Sequence, residues 1–241
     1  MQASELFNQP NTILLDGGMG TMLQAAGMKL GTRPEDLNIE NPELIRSIHA
    51  KYAAAGSRVV NANTFGASPH KLADSKYTLE EVITAGIANC KQAVAPYGAL
   101  VTLDVGPLGE LLEPSGTLAF EDAVAEYGRI VRAGVAAGAD ILYFETFTDL
   151  YEMKAALLAA KENSTLPIMA SMSFEANGRT FTGCTVESFA ATARGLGANA
   201  VGINCSLGPK EIFPMAKRLA EAVPGNFPVF VKPNAGLPRA D

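Results

Sequence analysis

The sequence is short of the groups that would make it a secreted scaffold, a membrane span or a nucleic-acid binder. Its 241 residues include only 3 Cys, at positions 90, 184 and 205. An odd number at wide spacing fits reduced thiols in a cytoplasm and argues against a disulfide framework. No apolar run reaches the roughly 18 residues of a membrane-spanning helix. Lys and Arg form no block, and 19 of them against 25 Asp and Glu leave a net charge of -6. An acidic chain without a basic patch lacks the electrostatic footprint of nucleic-acid binding. The opening Met1-Gln2-Ala3-Ser4-Glu5-Leu6 carries neither a basic segment nor an apolar one, so no signal peptide is expected. The 23 Gly follow no period, which excludes a collagen-like chain. Of the 2 His, His49 is expected at the edge of a helix's packed face and His70 in a solvated loop.

What is present suits a packed core. Hydrophobic residues make up 48% of the chain and charged ones 18%, which excludes disorder. Short apolar runs occupy residues 12–15, 57–62, 99–105, 139–144, 167–171, 198–204 and 227–232. Each is nearly continuous and bounded by turn residues, as a parallel strand buried on both faces would be. Helical segments lie between them at 42–55, 78–95, 119–137, 149–161, 186–195 and 209–222. Thr78 with Glu81 forms a capping-box signature, and Asp149 suits an N-cap. Gly56, Gly138 and Gly197 stand where helices should end before strands. The Met residues 19, 22 and 28 read as gap-fillers.

Strand–helix alternation of this kind gives a parallel sheet covered by helices. No linker divides residues 1–241. The expected fold is therefore one α/β domain, a (β/α)8 TIM-type barrel. Only seven strands are legible and no helix follows the last, so the barrel reads as cut short after strand seven, lacking its final strand and helix.

Chemistry in such a barrel collects at the strand ends. There the sequence places Asp16-Gly17-Gly18-Met19-Gly20-Thr21, Asn61-Ala62-Asn63-Thr64-Phe65, Asp104-Val105-Gly106-Pro107 and Phe144-Glu145-Thr146-Phe147. Ser171-Met172-Ser173-Phe174, Gly202-Ile203-Asn204-Cys205-Ser206 and Val231-Lys232-Pro233-Asn234-Ala235-Gly236 follow. Carboxylates, carboxamides and one thiol converge on one face, where polar groups need partners or a ligand. Glu145, leading out of an apolar run, favours a functional reading. Asp16 suits either a ligand contact or a cap of the next helix. Cys90 and Cys184 read as packing residues.

Five of these stretches, at 16–21, 63–65, 144–146, 202–205 and 232–236, together resemble the homocysteine S-methyltransferase family, nearest to its cobalamin-dependent methionine synthase branch. The resemblance runs in order from Leu14 to the C-terminus. It implies a (β/α)8 barrel that binds L-homocysteine and activates its thiol on zinc for methyl transfer, giving methionine. The zinc is held in the family by three cysteines. Cys205 matches the first, which makes it both the metal ligand and the catalytic residue here. The other two, an adjacent pair in the last strand, have no counterpart within residue 241, so two further ligands are expected beyond it and the chain alone is expected to be inactive. Zinc matters because a free thiol titrates near pH 8.5 and is only a few per cent thiolate at about pH 7.

The resemblance also implies substrate contacts. Asp16 and Glu145 match positions that hold the α-amino group. Backbone N–H groups of Gly17, Gly18 and Met19 suit the α-carboxylate. Asn63, Thr64, Asn204 and Asn234 are further candidates, with Asn63, Asn204 and Asn234 able either to bind substrate or to orient Cys205. The methyl donor is expected to be methylcobalamin on a corrinoid-bearing domain or protein; an onium compound or S-methylmethionine are the other donors of such barrels. Two alternatives stand beside this reading. One is a Schiff-base lyase using Lys232. The other is a non-catalytic amino-acid-binding barrel fragment.

Overall fold

A computed structural model of the chain describes residues 3–9, 11–29 and 31–236. Residues 1, 2 and 237–241, on which the expectations of no signal peptide and no final helix partly fall, lie outside them. In chain order the helices are α1 (Ala3–Leu6), α2 (Met19–Ala25), α3 (Leu37–Glu40), α4 (Pro42–Ala54) and α5 (Leu79–Val94). They continue with α6 (Phe120–Ala136), α7 (Leu150–Asn163), α8 (Val186–Gly195) and α9 (Pro209–Glu221). The strands are β1 (Val59–Asn61), β2 (Leu100–Val105), β3 (Ile141–Phe147), β4 (Ile168–Met172), β5 (Ala200–Asn204) and β6 (Val229–Lys232).

Local chemistry sets the boundaries. Thr78 Oγ1 accepts from Glu81 N at 3.2 Å, and Glu81 accepts in return from Thr78 N at 2.8 Å, so the capping box starts α5. Asp149 Oδ1 accepts from Tyr151 N at the head of α7. Gly138 takes φ 86° and Gly197 φ 89°, conformations that a side chain would strain. Each is followed by a bond back into the helix, Ala139 N to Gly134 O and Ala198 N to Ala193 O.

The strands pair in parallel in the order β1-β2-β3-β4-β5-β6. Val59, Leu100, Ile141, Met169 and Ala200 form the inner cluster with Leu6 and Tyr143. Their neighbours Val60, Val101, Leu142, Ala170 and Val201 belong to the cluster facing the helices. Both faces of β2, β4 and β5 are buried, as their unbroken apolar runs suggest, while β6 at the open edge is half-buried.

Six strands rather than seven are present among the described residues. The run at 12–15 lies beside β1, with Arg58 N bonded to Leu14 O and Asp16 N to Val59 O. Only Leu15 forms a bridge, to Val59, and Leu14 is 57% exposed. With two backbone bonds and one exposed flank, this edge segment falls short of a ladder. Among the described residues the curled sheet does not close into a barrel. A cavity of about 1400 Å³ opens between residues 6–9 and 11–15 on one side and 225–234 on the other, and reaches the strand ends.

Two further expectations change. His49 lies wholly inside rather than at an edge, with neither ring nitrogen hydrogen-bonded. Burial pushes its pKa down to about 4, so it is a neutral core residue. β3 runs three residues beyond Phe144, to Phe147. His70 is half-exposed, as expected, with Nδ1 2.9 Å from Glu110. Met19, Met22 and Met28 pack around Leu23, Ile45 and Ile48.

Candidate functional site

Along each strand the inward-facing residues, two apart, change from apolar to polar. The sequence Leu100, Thr102, Asp104 climbs β2, and Ile141, Tyr143, Glu145 climbs β3. At their upper ends Asp16, Asp104, Glu145, Asn204, Cys205 and Lys232 all line the cavity.

A carboxylate–lysine cluster forms the floor of this mouth. Lys232 Nζ lies 3.3 Å from Asp16 Oδ1 and 3.4 Å from Glu145 Oε2, and 5.3 Å from the centre of the Tyr143 ring. Burial pulls the Lys232 pKa down, but Glu145, Asp16 and Asp104 together push it above the ordinary lysine value. Asp16 Oδ2 accepts from Asn61 N at 2.7 Å. Burial raises the Asp16 pKa to about 6, against the pull of Lys232 and the Asn61 bond. Asp16 does not cap the following helix: α2 begins at Met19, with Gly18 at the N-cap position and no side-chain cap.

Glu145 reaches the mouth through a bulge. Phe144 pairs with Ala170 and Phe147 with Met172, so β3 carries one extra residue there. Thr146 absorbs it at φ 66°. That left-handed conformation is held by Asn204, whose Oδ1 accepts from Thr146 N at 3.1 Å and whose Nδ2 donates to Thr146 Oγ1 at 2.7 Å. Ser171 Oγ adds a bond to Asn204 Oδ1.

Cys205 and Ser206 continue from Asn204 at φ 59° and 58°. Two consecutive non-glycine residues in this region are costly and persist only where the surroundings dictate them. Cys205 N donates to Lys232 O, and Cys205 Sγ lies 3.4 Å from Asn204 Nδ2 and 3.7 Å from Thr146 Oγ1. Burial raises the thiol pKa, with the Thr146 hydroxyl opposing.

The glycine turn is shaped by close approach. A Cβ on Gly17 would come within 2.8 Å of Tyr52 Oη, which donates to Gly18 O. Gly17, Gly18 and Met19 line the cavity. So do Asn63 and Asn234, but Asn63 Nδ2 is engaged by Pro34 O and Asn38 Oδ1. Thr64 does not line it: its hydroxyl donates to Asp104 O and accepts from Asp104 N. In the sequence Thr146 and Asp104 stand within strand-end stretches, and neither has a role there. The period-two polarity along β2 carries the signal for Asp104.

The residues present do not make a zinc site. Among the described residues no group of three or more His, Cys, Asp and Glu is arranged to hold a metal. Cys205 is the single thiol at the mouth; Cys90 is buried in the core and Cys184 sits at the start of α8, half-buried. The Schiff-base reading of Lys232 is not favoured, because an amine paired with two carboxylates is held protonated rather than nucleophilic. Among the described residues no helix is long and apolar enough to cross a membrane.

Comparison with known proteins agrees with this arrangement. The chain is 30% identical to the methionine synthase of Mycobacterium tuberculosis over 92% of its own length and 20% of that protein's. It is 29% identical to the Mycobacterium leprae methionine synthase over the same shares. The chain thus spans about a fifth of the curated relatives it matches. Its structure is similar to the oxidized form of the Escherichia coli homocysteine methyltransferase MmuM, with a TM-score of 0.85, 25% identity, and coverage of 96% of this chain and 85% of that one. The metallated form gives a TM-score of 0.84 at 23% identity, over 96% and 86% of the two chains. The carboxyl transferase domain of Rhizobium etli pyruvate carboxylase shares the fold alone, at a TM-score of 0.57 and 15% identity over 95% of this chain and 37% of that one. The family model for homocysteine S-methyltransferase matches residues 13–241, and the chain belongs to that family.

Proposed function

We propose that this domain binds L-homocysteine and presents its sulfur for methylation to methionine. The observation that carries the reading is the buried pair Asp16 and Glu145, joined by Lys232 at the mouth of the strands. One lysine against two carboxylates leaves an excess negative charge, which an α-ammonium would neutralise in a poorly solvated site. Gly17, Gly18 and Met19 line the same cavity and offer backbone N–H groups to the α-carboxylate. Thr146 and Asn204 fix Cys205 beside them. Asn63, with its amide already engaged, supports the wall, and Asn234 stands at the rim.

Zinc in this family supplies a thiolate sulfur at neutral pH. Cys205 offers one donor, and one donor does not make the site. Activation of the sulfur on zinc here would require two further thiol donors beside Cys205. The likeness to methionine synthases supports a methyl donor, methylcobalamin, carried on another domain or protein. Three unpaired thiols suit a reducing cytoplasm.

Calorimetric titration of the chain with L-homocysteine tests the reading. Binding is expected, weakened about tenfold or more in Asp16→Asn and in Glu145→Gln, as for a lost charge-assisted bond. Binding that neither substitution affects would overturn it.

A further inference from the structure

Asp104 is the buried carboxylate that the proposed function leaves without a task. It is 6% exposed, lines the same cavity as Asp16 and Glu145, and its Oδ1 has no hydrogen-bond partner. Thr64 clamps its backbone from both sides, so the residue cannot withdraw from the site. An unpartnered carboxylate in such a place is expensive unless a proton or a cation joins it.

The groups that act on it come from every neighbouring element. Glu145 faces it from β3, Asp16 from the turn before α2, and Glu35 from the short 3-10 turn Pro34–Asp36. Among the described residues the cation that acts on it is Lys232 from β6, already shared between Asp16 and Glu145, while Lys71 and Arg33 act on Glu35. The Tyr143 phenol of β3 is also within its field, bonded to Ser171. Lys232 against Asp16 and Glu145 leaves one negative charge; an ionised Asp104 would add a second, and no further Lys or Arg among the described residues lines the cavity to offset it. Burial, reinforced by Glu145, accordingly holds the Asp104 carboxyl well above its ordinary range, with Lys232 opposing. Arrival of a second cation reverses that balance.

We propose that Asp104 is the third carboxylate of the ammonium subsite, protonated when the site is empty, and that binding of an α-ammonium expels its proton to solvent. This rests on the amino-acid reading above. The ligand keeps its own three ammonium protons, no covalent bond changes, and the one proton lost from the Asp104 carboxyl appears in the buffer. The consequence is an affinity for amino acids that rises with pH while Asp104 is the group being deprotonated, by at most about tenfold per unit.

L-Methionine is the probe, because it has the ammonium and carboxylate but no thiol to titrate. Calorimetry at about pH 7.5, above the Asp16 titration, in buffers of different ionisation heat counts the protons. The wild-type chain is expected to release on the order of one proton per methionine, and Asp104→Asn to bind with none released. Wild-type binding indifferent to the buffer, or equal release in Asp104→Asn, would overturn the proposal while leaving the amino-acid reading intact. Failure of the wild type to bind methionine would remove both. Infrared spectra of the wild type alone give a second measure should the variant not fold. A carboxylic-acid carbonyl band is expected in the free chain and should disappear on saturation with methionine; its persistence would count against the proposal.

Discussion

Lys232 Nζ stands 3.3 Å from Asp16 Oδ1, although 216 positions separate the two residues. The contact joins the last strand to the segment beside the first, across the mouth of a sheet that is otherwise open there. It also brings the only Lys or Arg among the described residues lining this site against two of its carboxylates, so the same contact bears on stability and on charge.

Removing that cation should be costly. Lys232→Met leaves Asp16 and Glu145 buried together without compensation, and breaking a buried pair from one side typically costs about 3–5 kcal/mol. Urea denaturation at neutral pH is expected to show a loss of that order. A loss below about 1 kcal/mol would mean that solvent reaches the carboxylates freely.

The pH dependence follows from Asp16. Its pKa is raised from 3.8 to about 6 by burial, so the folded chain binds this proton more tightly than the unfolded one. The group therefore favours the fold fully below pH 3.8, and that contribution is lost as pH rises through about 6. The shift corresponds to roughly 3 kcal/mol. Asp16→Asn keeps an acceptor for Asn61 N but cannot titrate. Comparing denaturation midpoints at about pH 5 and about pH 7 should show a gain on acidification in the wild type that is smaller in the variant. Amino-acid binding should move the opposite way, weakening as Asp16 is protonated.

Asn204 holds the bulge and the thiol in one geometry. Asn204→Ala removes the partners of Thr146 N, Thr146 Oγ1 and Ser171 Oγ. Leaving such groups unsatisfied should cost about 2 kcal/mol or more. Homocysteine affinity should fall with it, because Thr146 loses its support at φ 66° next to Glu145. Calorimetry and denaturation on the same variant check both; unchanged affinity would separate the bulge from binding.

Thr78→Ala tests the folding frame away from the site. Loss of the α5 capping box should lower stability by about 1 kcal/mol and leave amino-acid affinity unchanged. Denaturation and calorimetry read the two quantities separately.

Much of this protein is decided locally and is legible in its sequence. Unbroken apolar runs identify strands buried on both faces, Thr78 with Glu81 and Asp149 mark helix starts, and Gly56, Gly138 and Gly197 mark ends. These features depend on residues within one turn of each other, so no knowledge of the fold is needed to read them. The strand-end stretches carry the family likeness for the same reason. Other properties arise only when distant segments meet. Whether residues 12–15 form a strand depends on what flanks them, and here just Leu15 pairs, with Val59. His49 lies on a helix whose burial on several sides is set by its neighbours, so its position in the core was not visible in the periodicity of α4. Asp104 is a strand-end carboxylate like any other until Glu145, Asp16 and Lys232 close around it. The electrostatics of the mouth belong to the tertiary structure because charge, burial and hydrogen bonding act through space over a few ångströms, whatever the distance along the chain.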